Sequence, residues 1–126
     1  MSREQRIYSH LPPPNGRYCH AVRADNWLYI SGFTAMGTPG ENGDIVAQSE
    51  AIWEIMKGIL AIEGGSLGDI VKITTLVTEM DSYWDVHAVR ERYLGDTLPA
   101  STLFQVSRLV QPDLKIEIEA TALLPE

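Results

Sequence analysis

The sequence has one cysteine, few basic residues and no long apolar run. Cys19 has no partner for an internal disulfide and lies in no metal-ligand spacing, so we expect a reducing compartment and a cytoplasmic location. No segment approaches the ~20 apolar residues of a membrane span, and residues 1–10 are too polar for a secretory signal. These absences argue against an embedded or exported protein.

The charge balance is acidic: 10 Lys and Arg stand against 17 Asp and Glu, for a formal net charge of −7 in 126 residues. Binding to nucleic acid or to an anionic membrane draws on basic side chains that neutralise phosphates, so we expect neither partner. A hydrophobic content of 44% is enough for a buried core. The length predicts one domain, residues 1–126.

Several catalytic motifs are also missing. The sequence contains no glycine-rich phosphate loop, no histidine pair at helical spacing and no G-x-S-x-G segment. His10, His20 and His87 fall on different predicted elements. The residues themselves therefore predict no metal site.

The order of apolar patterns and turn residues predicts an α+β fold. Strands are predicted at 17–24 and 27–33, a helix at 45–63, a strand at 70–78, a helix from Ser82 to Leu94, and strands at 101–107 and 115–123. Ser82 and Asp85 resemble a capping box at the start of the second helix. The order ββαβαββ predicts a mixed sheet with both helices on one face.

Two predicted strands carry apolar side chains on both faces. In the strand 27–33, alternation separates Leu28 and Ile30 from Trp27, Tyr29 and Phe33. In the strand 70–78, it separates Ile70 and Leu76 from Val71, Ile73 and Val77. Two helices can cover only one face of the sheet, and monomers rarely leave a large apolar patch in water. We therefore predict a homo-oligomer.

The last predicted strand places carboxylates on one face. Ile116, Ile118, Ala120 and Ala122 point one way, and Glu117, Glu119 and Thr121 point the other. If that second face is buried between subunits, desolvation favours the neutral form of a carboxyl group and suits it to proton transfer. In the alternative interpretation, both glutamates lie on a solvated edge.

Five segments together resemble the Rid family of reactive intermediate deaminases, also called the YjgF family. They are Tyr18, Leu28–Gly32, Gly64–Lys72, Pro99-Ala100 and Ile116–Ala120. The resemblance implies a chorismate-mutase-like fold and a homotrimer with a central barrel and three clefts between adjacent subunits. It also implies hydrolysis of enamines and imines, released by pyridoxal-phosphate enzymes, to a keto acid and ammonia, with no cofactor in the deaminase itself.

The resemblance also implies roles for residues at matching positions. Tyr18, Ser31, His87 and Glu117 are expected to face the cleft. Glu117 is expected to activate water and assist proton transfer, and Ser31 to hydrogen-bond the ligand. Tyr18 is expected to form a wall with a phenolic hydroxyl.

The sequence departs from the family pattern at the substrate-binding positions. General imine deaminases of the family have Pro-Ala-Arg, where the arginine grips the substrate carboxylate, but this chain has Ser101. His87 replaces a common asparagine, and Leu103 replaces a small residue or a thiol. Arg17 or Arg90 could supply the missing cation. In the alternative interpretation, each is a solvated surface charge. Simple 2-imino acids are therefore not the expected substrates.

Three functions remain open at this level. The favoured one is hydrolysis of an enamine or imine other than a simple 2-imino acid, in clefts between trimer subunits. The alternative is a non-catalytic trimer that binds a small metabolite. The third is ribonuclease activity, which the acidic charge and the lack of a basic, aromatic-interleaved stripe oppose.

Overall fold

A computed structural model describes residues 2–126. They form β1 (Arg3–Arg6), β2 (Ala21–Ala24), β3 (Trp27–Phe33), α1 (Ile45–Ile62), β4 (Ile70–Val77), α2 (Tyr83–Leu94), β5 (Ala100–Gln105) and β6 (Ile116–Leu123). The strands make one sheet in the spatial order β1-β2-β3-β6-β4-β5. Among the strands of residues 2–126, only β4 and β5 are parallel neighbours, so the sheet is mixed, as predicted for an α+β fold.

Both helices pack on the same face of the sheet. Their buried side chains join those of the central strands in one apolar cluster that includes Trp53, Val86, Ile73 and Ile118. The predicted alternation of β6 is present, with Ile116, Ile118, Ala120 and Ala122 buried in the cluster. The side chain of Glu117 therefore starts from the face that the helices leave open.

The helix ends follow local signals in the sequence. Asp44 caps α1 by accepting a hydrogen bond from the Ala47 amide at 2.9 Å. Gly64 and Gly95, with φ of 86° and 55°, turn the chain out of α1 and α2 in a conformation that favours glycine. Among residues 2–126, neither helix is both long enough and apolar enough to span a membrane.

The capping box predicted at the start of α2 is wrong. Ser82 has near-helical backbone angles (φ −79°, ψ −1°), and its hydroxyl makes no capping hydrogen bond within the described part of the chain. A 3₁₀ turn over Met80–Ser82 leads directly into α2, whereas a capping side chain usually starts from extended backbone.

The strand β1 is an addition to the predicted order ββαβαββ. It pairs with β2 in antiparallel register, Arg6 opposite Ala21. The side chain of Glu63, at the end of α1, accepts from Arg6 Nε at 3.1 Å, from Arg23 Nη1 at 3.1 Å and from the Tyr8 hydroxyl at 2.8 Å. These bonds tie the edge strand β1 and its neighbour β2 to the helix.

Two irregularities in strand pairing change the predicted faces. A register shift between Ile30 and Phe33 turns Phe33 toward the helices, where it packs against the core. A second shift, between Ile70 and Lys72, puts Ile70 in the core together with Ile73. The assignment of Phe33 to the face of Trp27, and of Ile70 to the face opposite Ile73, is therefore wrong, because each shift breaks the period of two.

The sheet face opposite the helices is uncovered in the single chain. The exposed fractions of Trp27, Tyr29, Phe104 and Leu123 there are 40–49%. The register places Leu123 opposite Trp27 and puts Phe104 and Glu117 on either side of Leu76. This face therefore combines apolar side chains with the side chain of Glu117.

Candidate active site

The first candidate cavity lies where β3 and β6 meet the proline-rich segment before β2. Its volume is about 360 Å³, and its lining includes Pro12, Asn15, Tyr18, Ser31, Gly32 and Glu117. Three residues predicted to face the cleft, Tyr18, Ser31 and Glu117, are thus brought together.

The carboxylate of Glu117 lies against the backbone of Gly32. A Cβ atom at position 32 would lie 3.0 Å from Glu117 Cδ and would overlap Oε2. Only a residue without a side chain leaves room for the carboxylate in this position. Burial raises the pKa of Glu117, and the nearby negative charge of Glu119 raises it further. The group is therefore easier to protonate than an ordinary surface glutamate.

Ser31 and Tyr18 are positioned by hydrogen bonds within the chain. The Ser31 hydroxyl donates to the Cys19 carbonyl at 2.7 Å, and the Tyr18 hydroxyl donates to Asn15 Oδ1. Because both hydroxyl protons are engaged, the two oxygens are oriented to accept hydrogen bonds from a ligand. A ligand with N–H groups or a water molecule is the matching partner.

His20 also lines this cavity, but both of its ring nitrogens form hydrogen bonds within the chain. Nδ1 accepts a hydrogen bond from the Tyr8 amide at 2.9 Å, so the ring proton is on Nε2, which donates to the Pro12 carbonyl at 2.9 Å. The ring lies between Tyr8, stacked at 5.9 Å, and Phe33 at 5.7 Å. His20 therefore holds the proline-rich wall of the cavity in place.

A second cavity lies beside α2 and before β5. Its volume is about 500 Å³, and its lining includes Trp84, His87, Arg90, Glu91, Leu98 and Pro99. His87 donates from Nδ1 to the Tyr83 carbonyl at 3.1 Å, which leaves Nε2 as its free ring nitrogen. None of the residues in this lining also lines the first cavity.

The side chain of Arg90 reaches Ser101. Nη1 donates to Ser101 Oγ at 3.0 Å, and Nη2 donates to Thr75 Oγ1 at 2.8 Å. The parallel register explains this contact, because Ser101 lies opposite the buried Ile73 and its side chain therefore points toward the helices. Burial lowers the pKa of Arg90. The interpretation of Arg90 as a solvated surface charge is wrong.

The remaining predicted residues lie outside both linings. Leu103 packs against the apolar core from β5, opposite Thr75. Arg17 is exposed. Within a single chain, the predicted site residues therefore fall into two groups: Tyr18, Ser31 and Glu117 in the first cavity, and His87 and Arg90, with Ser101 adjacent, at the second.

Two residues that matter to this geometry carry only weak signals in the sequence. Gly32 lies in a strand interior, where a glycine often marks a close approach of other atoms. Thr75 resembles any strand threonine, and its contact with Arg90 depends on how α2 packs.

Residues 2–126 bring no three His, Cys, Asp or Glu side chains into an arrangement that could hold a metal ion.

Sequence comparison assigns the family. The profile described as Endoribonuclease L-PSP matches residues 8–124, almost the whole chain. The chain therefore belongs to the Endoribonuclease L-PSP family, which is the YjgF/Rid family that the five segments resemble.

Individual relatives cover nearly the full length. A RutC family protein of Pyrococcus horikoshii is 38% identical over 88% of this chain and 90% of its own length. The 3-aminoacrylate deaminase RutC of Acinetobacter baylyi is 34% identical over 97% and 98%. The 2-iminobutanoate/2-iminopropanoate deaminase of Escherichia coli is 33% identical over 88% and 90%. A solved structure from Thermotoga maritima, 33% identical, covers 98% of this chain and 100% of its own, with a TM-score of 0.87.

Proposed function

We propose that the protein is a cofactor-independent deaminase that hydrolyses an enamine or imine to a carbonyl compound and ammonia. The observation that carries the proposal is the Glu117 carboxyl group, half-buried against Gly32 and beside the acceptor oxygens of Ser31 and Tyr18. The names of two relatives, 3-aminoacrylate deaminase and 2-iminobutanoate/2-iminopropanoate deaminase, support the same reaction class.

Glu117 can serve the successive proton transfers of this reaction. In its neutral form it protonates the enamine carbon, which gives an iminium ion. As the carboxylate it then accepts a proton from the water that adds to the iminium carbon. Glu117, now neutral again, protonates the nitrogen of this adduct. The C–N bond breaks, ammonia leaves, and the hydroxyl proton returns to the Glu117 carboxylate as the carbonyl forms. Because burial raises the pKa of Glu117, its neutral form is more accessible than that of an ordinary glutamate, which suits it to the first of these steps.

We place the reaction in a cleft between two subunits of a cytoplasmic homotrimer. Two features support this assembly: the predicted site residues form two separate groups on one chain, and an apolar sheet face lies uncovered. A neighbouring subunit that covers this face can bring its Arg90 group to the Glu117 group of the first. Each cleft then holds the proton donor at one end and the cation at the other.

The substrate is expected to be larger than a 2-imino acid. Ser101 stands where general imine deaminases of the family have arginine, so a short substrate lacks its ionic partner at that position. Conjugated enamines, including vinylogous and aromatic-derived ones, are the class we favour.

The proposal is tested by ammonia release from a panel that runs from 2-iminopropanoate to conjugated enamines. We expect turnover above the spontaneous rate for the conjugated members and little for the simple 2-imino acids. Glu117→Gln should lower turnover by ~10²-fold or more. Glu54→Gln, which changes an exposed carboxylate of α1 outside both cavity linings, is the control and should retain turnover. No rate above background for any substrate, or equal rates in wild type and Glu117→Gln, would contradict the proposal.

A non-catalytic metabolite-binding trimer is the second candidate, and the loss of arginine at position 101 favours it. In that case the protein binds products or analogues but accelerates no hydrolysis. The same panel separates the two, because binding without turnover is expected only of the second candidate.

A further inference from the structure

The guanidinium of Arg90 is an unusual group in an acidic protein. Its side chain is half-buried, and it contacts two neutral hydroxyls, those of Ser101 and Thr75. Among the residues that the structure describes, no carboxylate forms an ion pair with it. By contrast, Arg92, two residues further along α2, is exposed and pairs with Glu50 at 2.6 Å.

The environment of Arg90 leaves its charge uncompensated. The two hydroxyls engage two of the five N–H groups of the guanidinium, and the buried Nε has no partner within residues 2–126. Burying a charge without an opposite charge is costly. An anion that reached the remaining Nη hydrogens would offset this cost, and a carboxylate can accept two parallel N–H bonds from such a group.

The cavity beside Arg90 has a largely apolar wall. The exposed fractions of Trp84 and Leu98, which both line it, are 76% and 91%. His87 supplies a free ring nitrogen, and the exposed Glu91 is the acidic residue of the lining. A ligand for this cavity therefore combines one anionic group with a hydrocarbon part.

We propose that Arg90 is the carboxylate-binding residue of this protein and that its ligand is a planar, conjugated or aromatic carboxylate whose hydrocarbon part lies against Trp84 and Leu98. The inference rests on the proposed function in one respect: it takes this carboxylate to be that of the substrate.

The position of Arg90 also selects the length of the ligand. Its Nη1 rests on the hydroxyl of Ser101, close to the β5 backbone. An arginine at position 101 itself would carry the guanidinium to the end of a long side chain. The guanidinium of Arg90 therefore lies nearer to the β5 backbone than the guanidinium of an arginine at position 101 would. A ligand must extend further to reach it. A carboxylate separated from the reacting C–N bond by a conjugated spacer fits this geometry better than a 2-imino acid, in which the two groups are adjacent.

Calorimetric titration with trans-cinnamate tests the proposal, with cinnamamide as the neutral probe of the same shape. We expect wild type to bind cinnamate and to bind cinnamamide at least about tenfold more weakly. Arg90→Gln should lose that preference, and Arg92→Gln, the control on the same helix, should keep it. Failure of wild type to bind cinnamate, equal affinity for the acid and the amide, or an unchanged preference in Arg90→Gln would overturn the proposal.

A second pair of variants keeps Arg90 in place. Ser101→Asp puts a carboxylate beside Nη1, so we expect a higher melting temperature and loss of cinnamate binding. Ser101→Asn changes the size similarly without charge and should still bind cinnamate. Cinnamate binding by Ser101→Asp at the wild-type affinity would also overturn the proposal.

The binding experiment is independent of turnover. Cinnamate has no C–N bond to hydrolyse, so its titration reports binding alone. Cinnamate binding through Arg90 in a protein that hydrolyses nothing would refute the deaminase and leave this site intact. Hydrolysis of conjugated enamines that is unaffected by Arg90→Gln would refute the site and leave the deaminase intact.

Discussion

At the scale of single residues, the contact with Gly32 fixes the position of the Glu117 carboxyl group, which we propose as the proton donor. The carboxylate occupies space that any side chain at position 32 would fill. The placement of Glu117 therefore depends on Gly32, because glycine has no Cβ atom.

Gly32→Ala should displace the Glu117 carboxylate and lower turnover by roughly 10- to 100-fold, because small errors in the position of a catalytic group are costly. Gly58→Ala is the control: among residues 2–126 its Cβ would meet only His10 Nε2, at 3.8 Å, and alanine is the better helix former within α1. We expect Gly58→Ala to keep its activity and to melt at a higher temperature. Steady-state kinetics and thermal melting check both, and full activity in Gly32→Ala would show that the contact is dispensable.

The sequence predicts some of these residue positions and not others. The outward direction of Glu117 follows from the alternation of β6, which is a local pattern. The contact of Arg90 with Ser101 does not follow from any local pattern, because it needs both the parallel register of β4 with β5 and the packing of α2 on the sheet. The sequence places Arg90 one turn from His87, but it leaves the direction of its side chain open.

At the scale of elements, β1 is held mainly by polar contacts. Its four residues, Arg3–Arg6, carry no apolar side chain, so no hydrophobic pattern in the sequence predicts a strand there. Glu63 supplies the anchor from a position 57 residues away from Arg6. Long-range ion pairs of this kind leave no signature in a single sequence.

Glu63→Gln should destabilise the protein by about 2 kcal/mol at neutral pH, because Arg6 and Arg23 lose their shared carboxylate. Burial alone would raise the pKa of Glu63, but the hydrogen bonds from Tyr8 and Arg23 and the charge of Arg6 outweigh it and lower the pKa. The stabilisation is therefore present above the ordinary glutamate pKa of 4.5 and is lost as the pH falls below it.

The melting temperatures of wild type and Glu63→Gln should accordingly differ at pH 7 and converge toward pH 3. Glu54→Gln, which alters an exposed carboxylate of the same helix, is the control and should show a smaller difference at pH 7. A constant difference between wild type and Glu63→Gln over this pH range would mean that the ionised carboxylate is not what stabilises β1 and β2.

The helices and central strands are the elements that the sequence predicts well. The apolar stripe of α1 and the glycines after α1 and α2 are local signals, and the structure follows them closely. The errors at Phe33 and Ile70 have a common cause. Each follows a register shift that a strict period of two cannot anticipate.

At the scale of the whole molecule, the open sheet face predicts self-association. Trp27, Tyr29, Phe104 and Leu123 are all substantially exposed there in the single chain. Phe33 already packs in the core, so we expect the subunit interface to bury Trp27 and Tyr29 and not Phe33.

Sedimentation equilibrium at micromolar concentration should give three times the mass of one chain. Tyr29→Glu places a charge on the open face and should shift the equilibrium toward the monomer. Ile62→Glu, at an exposed position near the end of α1, should leave the assembly unchanged. A monomeric wild type would remove the basis for a cleft between subunits.

The most direct measurement mixes two inactive variants, Glu117→Gln and Arg90→Gln, by co-expression and assays hydrolysis of a conjugated enamine carboxylate. Each variant alone should be nearly inactive. If one subunit supplies Glu117 and its neighbour supplies Arg90, random mixing restores about a quarter of the clefts, and activity should recover to about that fraction of wild type. Mixed assemblies no more active than the two separate variants would contradict a site shared between subunits.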